Sequence, residues 1–134
     1  MNGDEQRFKS LAIIRLSYVM GPALFVLVTY LQRRIGGLSE AAMPAENLVL
    51  MRYLLWGVAA FALVWALFWK SRAESAMDAA GVSRALIIGW TPGEAAALFG
   101  GVIYFVGGPI SAVAFGFMAF AVVLALLRIP RRQH

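Results

Sequence analysis

The sequence predicts an all-α, polytopic membrane protein: four transmembrane helices in two hairpins, forming one domain over all 134 residues. Three observations carry that reading. Hydrophobic residues make up 61% of the chain and charged residues 14%, whereas a soluble domain holds about 45–50% apolar and ~25% charged residues. Mean hydropathy is correspondingly high, at +0.75. The apolar residues fall in four runs, 16–31, 53–69, 95–108 and 110–127, none of which contains a charged residue. A helix of roughly 20 mainly apolar residues crosses ~30 Å of hydrocarbon. Finally, the lysines and arginines stand at the ends of these runs. Together these features exclude a water-soluble globular enzyme, a disordered chain and a disulfide-stapled secreted domain.

Helix one is predicted over about residues 11–35, with Arg15 at one membrane boundary and Arg33-Arg34 at the other. Gly36-Gly37 should end it, since glycine takes the left-handed closing conformation at little cost. A loop over residues 38–47 holds Pro44. Helix two spans about 48–73 and should continue as a solvated helix as far as Gly81. Helix three lies within 84–107, the run Gly107-Gly108-Pro109 makes a very tight turn, and helix four spans 109–127. Arg128-Ile129-Pro130-Arg131-Arg132 stops it. The N-terminus is mixed in charge, and no small-residue cleavage site follows the first run, so that run should remain as an anchor.

Charge counting sets the orientation. One side carries Arg7, Lys9, Arg15, Lys70, Arg72, Arg84, Arg128, Arg131 and Arg132, the other only Arg33, Arg34 and Arg52. Positive residues accumulate on the cytoplasmic side, which predicts an inner (plasma) membrane protein with both termini cytoplasmic. Tyr30 and Tyr53 would mark the outer interface, and Trp69 and Trp90 the inner one. The formal charge of +5 therefore reads as topology rather than as a phosphate-binding face, and no nucleic acid is expected. There is no cysteine, and the one histidine is His134, the last residue. Thiol chemistry and a histidine-held haem or metal inside the bundle are excluded, and no cofactor is expected.

Glu94 carries most of the chemical content. If the last hairpin is symmetric about Gly108, Glu94 lies level with Val122, six residues inside Arg128. At ~1.5 Å per residue this is roughly 9 Å inside the hydrocarbon. A carboxylate at that depth should be protonated, paired or facing a wet cavity, and is by default a functional candidate. Arg15 is the natural ion-pair partner if it needs one. The alternative is a capping box in Thr91-Pro92-Gly93-Glu94, with Thr91 as N-cap and residues 82–90 lying along the interface.

Gly89, Gly93, Ala97 and Gly101 recur every four residues on helix three, and Ala112 and Gly116 follow on helix four. Small residues at this spacing allow close backbone approach in lipid. The spacing leaves open whether the partner helix belongs to the same chain, to a second copy or to another subunit.

The stretch Gly93-Glu-Ala-Ala-Ala-Leu-Phe-Gly-Gly-Val-Ile-Tyr-Phe resembles the ion-binding helix of rotary ATPase proteolipid (c-type) subunits. That resemblance implies that Glu94 takes up and releases a proton or a sodium ion. Over most of its length the chain resembles uncharacterised small bacterial four-helix membrane proteins, through Arg15 with Gly21-Pro-Ala-Leu-Phe, the segment just quoted, and Pro130-Arg131. The residues contain no Ser/His, paired-Asp or His-metal constellation, so an enzyme is not expected. The sequence expectation is a non-enzymatic accessory or structural subunit that packs with itself or within a larger membrane complex. The alternative is a proton- or sodium-binding protein that uses Glu94.

Overall fold

The computed structural model describes residues 3–36 and 43–130 and consists of four α-helices, with no strand among the described residues. They are α1 (Gly3–Gly36), α2 (Ala45–Ser75), α3 (Ala79–Phe105) and α4 (Ile110–Leu126). The first three are long and apolar enough to cross a membrane. α4, at 17 residues, is ~25 Å long and falls at the short end of what spans one. Gly37, the rest of the first loop to residue 42, and Arg131 onwards lie outside the described residues.

Four boundaries differ from the expected ones by three residues or more, among them the start of α2 at Ala45 rather than near 48 and of α3 at Ala79 rather than 84. α1 begins at Gly3 rather than near residue 11: Asp4 and Glu5 occupy its first turn, where acidic groups complement the helix dipole. α2 stops at Ser75, and Gly81 ends nothing. Asp78 is the N-cap of α3, and its side chain accepts a hydrogen bond from the Gly81 amide at 2.8 Å. An aspartate at this position satisfies one of the free amides of a helix start, so a new helix begins where the old one was expected to continue.

α3 is the central element. Its buried residues face every direction, whereas α1 buries only Leu11, Pro22 and Thr29. α1 lies along α3, parallel to it, and makes no extended contact with α2 or α4 among the described residues. α2 and α4 cover the other sides of α3. α2 presents Leu55, Ala59, Ala62 and Ala66, a four-three-four spacing that keeps one narrow face of small side chains on its partner. Large apolar residues, such as Leu24 and Leu27 of α1 and Phe61, Val64 and Leu67 of α2, face outward. Such a shell is compatible with membrane insertion.

The turn between α3 and α4 is closed by its own backbone. Gly108 donates to the Ile103 carbonyl at 2.8 Å and Gly107 to the Tyr104 carbonyl at 3.2 Å. Gly107 has φ 104°, the left-handed residue this motif requires. Pro109 then starts α4, and Met43 donates to the Val106 carbonyl at 2.8 Å.

Candidate functional site

α3 runs unbroken through Pro92, so the capping box expected at Thr91 does not form. Thr91 Oγ1 donates to the Ile87 carbonyl at 3.0 Å, as a hydroxyl inside a helix does. Trp90 is fully buried within the bundle, and residues 82–90 belong to the helix proper. Proline has no amide hydrogen, so Pro92 frees the carbonyl four residues earlier. That carbonyl belongs to Ile88, and Trp65 Nε1 of α2 donates to it at 3.0 Å. A neighbouring helix thus supplies the bond the proline removes.

Beyond Pro92, Glu94 is half-buried and turned toward α1. Its Oε1 lies 3.7 Å from where a Cβ would stand on Gly21. The glycine leaves room for the carboxylate, which makes no hydrogen bond or ion pair among the described residues. The expected ion pair with Arg15 is not made. Arg15 Nη2 instead donates to the Leu124 carbonyl at 3.5 Å. Helix geometry explains the separation: Arg15 is six residues before Gly21, ~9 Å along α1 and about 120° around it.

Arg15 belongs to a set of long-range bonds that sequence reasoning did not find. Trp90 Nε1 donates to the Leu127 carbonyl at 3.0 Å. Arg33 Nη1 donates to the Tyr104 carbonyl at 3.2 Å and to the Gly108 carbonyl at 3.0 Å, with its guanidinium 4.2 Å from the centre of the Tyr104 ring. The last carbonyls of a helix have no partner within it. α1 thus caps α4 at one end through Arg15 and α3 at the other through Arg33. A basic residue near a helix C-terminus also suits the dipole. The sequence signal was present in the 18-residue spacing of the two arginines, but it served equally to mark membrane boundaries.

The small residues pack within the chain. A Cβ on Gly116 would stand 2.6 Å from the Ala96 carbonyl oxygen and 3.2 Å from the Ala97 Cα. One on Gly100 would stand 2.5 Å from the Ala112 carbonyl oxygen. Gly93 meets Phe120 and Val123, and Gly89 meets Leu127 and Trp69. Gly101 is different: it meets Phe25 and Val26 of α1. A four-residue repeat drifts ~40° per step on a helix of 3.6 residues per turn. Over the three steps from Gly89 the stripe turns from α4 to α1, and Gly100 and Ala96, outside the expected set, take up the contact with α4.

Among the described residues no three metal-ligating side chains cluster. Glu94 is a lone carboxylate, able to take up a proton or to contribute to holding a cation. No protein-family model, curated protein or solved structure matches the chain.

Proposed function

We propose that this chain is a multi-pass bacterial inner-membrane protein with a structural or accessory role, non-enzymatic, packing with itself or within a larger membrane complex. The observation that carries the reading is the use made of its polar side chains. Arg15, Arg33, Trp65 and Trp90 each donate to a backbone carbonyl of the same chain, which serves architecture rather than chemistry. The small-residue faces of α3 and α4 are occupied internally, so a protein partner would meet the outward apolar faces, those of α1 and α2 among them. Gly57 lies open on α2, beside a groove lined by Tyr53 and Phe61. Blue-native electrophoresis of gently solubilised membranes is expected to show a species larger than the monomer, which Gly57→Leu reduces. A monomer alone counts against this role.

A second reading, a proton- or sodium-binding protein, is favoured by one observation: the unpartnered Glu94 carboxylate opposite Gly21. Carbodiimides modify protonated carboxyls in apolar surroundings. Labelling in native membranes across pH separates the two readings. Selective, pH-dependent modification at Glu94, lost in Glu94→Gln, would put ion binding first. Absence of labelling there leaves the structural role.

A further inference from the structure

The groove between α1 and α3 holds a cavity of about 510 Å³ near the start of both helices. This lies within the roughly 300–1,000 Å³ of ligand pockets. Its polar lining comes from Gln6, Arg7 and Ser10 of α1 and Ser83 of α3. The apolar lining, Leu11, Ile14 and Ile87, lies farther along the groove. Ser10 with Ser83, and Ile14 with Ile87, repeat the register that sets Gly21 against Glu94, so polar and apolar groups occupy successive levels.

Two of these groups lack partners. Ser83 is 7% exposed and its Oγ makes no hydrogen bond among the described residues. By contrast, Ser10, Ser17, Thr29, Ser75 and Thr91 each donate to the carbonyl four residues back. A buried polar atom left unpaired is costly, and Ser83 lines the cavity. Arg7 is exposed and makes no hydrogen bond or ion pair among the described residues. Asp4 and Glu5 are nearby on the first turn of α1 but do not line the cavity. That first turn adds the positive end of the helix dipole.

Depth narrows the ligand. Arg15 and Arg33 stand 18 residues apart, ~27 Å along α1 and close to one hydrocarbon thickness. Leu11 and Arg7 then lie ~6 Å and ~12 Å outside Arg15. A headgroup layer ~5–8 Å thick takes in the level of Leu11 and ends short of the Arg7 backbone, but a long arginine side chain reaches back into it. We infer that this cavity binds the phosphate-bearing headgroup of an anionic phospholipid. Arg7 and Ser83 donate to the phosphate, and Ile14 and Ile87 pack on the first methylenes of an acyl chain. A free phosphate would leave the apolar half of the site empty.

The inference rests on the membrane reading, so the first step is an alkaline carbonate wash of membranes containing the full chain. Release of the chain would overturn both. The retained protein is then purified in detergent, and its melting temperature is followed with phosphatidylglycerol, phosphatidylcholine or inorganic phosphate. Phosphatidylglycerol is expected to raise the Tm, the other two to leave it unchanged. The double variant Arg7→Gln, Ser83→Ala should bind phosphatidylglycerol about a hundredfold more weakly, the loss of two charge-assisted hydrogen bonds, and its lipid-free Tm should be no lower than the parent's, because Ser83→Ala removes an unpaired buried hydroxyl. Lys70→Gln, which removes one charge elsewhere, should bind as the parent does. The lipid site is overturned if phosphatidylglycerol has no effect or if inorganic phosphate reproduces it. It is equally overturned if Lys70→Gln weakens binding as much as the double variant.

Discussion

Trp65 of α2 and Pro92 of α3 both act on one carbonyl, that of Ile88. Without the indole N–H, the Ile88 carbonyl has neither the helix amide nor a substitute. Trp65→Phe is therefore expected to cost about 1–3 kcal/mol, read as a fall in Tm in detergent. Pro92→Ala returns a backbone donor to Ile88, so in that background the cost of Trp65→Phe should shrink. Independent, additive losses would refute the coupling. Arg33 offers a second test at this scale. Lysine keeps the charge but cannot span the Tyr104 and Gly108 carbonyls with one planar group while lying on the Tyr104 ring. Arg33→Lys should lose about 1–2 kcal/mol. Arg34→Lys should be near neutral, because among the described residues Arg34 bonds only the exposed Tyr30 hydroxyl.

The α3–α4 contact is made backbone to backbone, and glycine substitutions should rank by what a new Cβ meets. Gly116→Ala places a methyl against the Ala96 carbonyl, which cannot move aside, and should cost about 1–3 kcal/mol. At Gly101 the obstacle is the Phe25 ring, 2.8 Å away, which can rotate, so the loss should be smaller. Gly57→Ala meets nothing and should gain up to about 1 kcal/mol of helix propensity. Equal effects at Gly116 and Gly57 would contradict the packing. At this scale the helices and the Gly107-Gly108 turn were legible in the sequence, because long apolar runs and positive-φ glycine are local signals. The partner of each face was not. These helices are apolar all round, so hydropathy does not mark a buried side, and only the spacing of small residues does. The spacing of Ala59, Ala62 and Ala66 marked the inner face of α2 and was missed. Glu94 was recognisable as a candidate. The continuity of α3 through Pro92 was not, because the indole that allows it lies in another helix.

As a whole, the molecule places the start of α1, the α2–α3 connection and the end of α4 at one end, since Arg15 meets Leu124 while Arg33 meets Tyr104 and Gly108. The proposed orientation puts that end in the cytoplasm. The chain contains no cysteine, so single cysteines report without interference. Ser10→Cys and Ser75→Cys should react with an impermeant thiol reagent only from the cytoplasmic side, and Ala45→Cys only from the opposite side. The reverse pattern would overturn the orientation while leaving the fold intact.

The clamp that α1 places on the two C-terminal helix ends also sets an order of assembly. A ribosome completes α1 before any of its acceptors exist, so in the proposed membrane setting Arg15 and Arg33 would reach the bilayer boundary with only water and headgroups to hold them. Tyr104 and Gly108 are made next, and the Arg33 end can close. Leu124 follows, and with it the Arg15 end. The first helix synthesised is thus the last to be fastened, one end at a time. A nascent chain stopped after Gly108 would hold it by a single clasp.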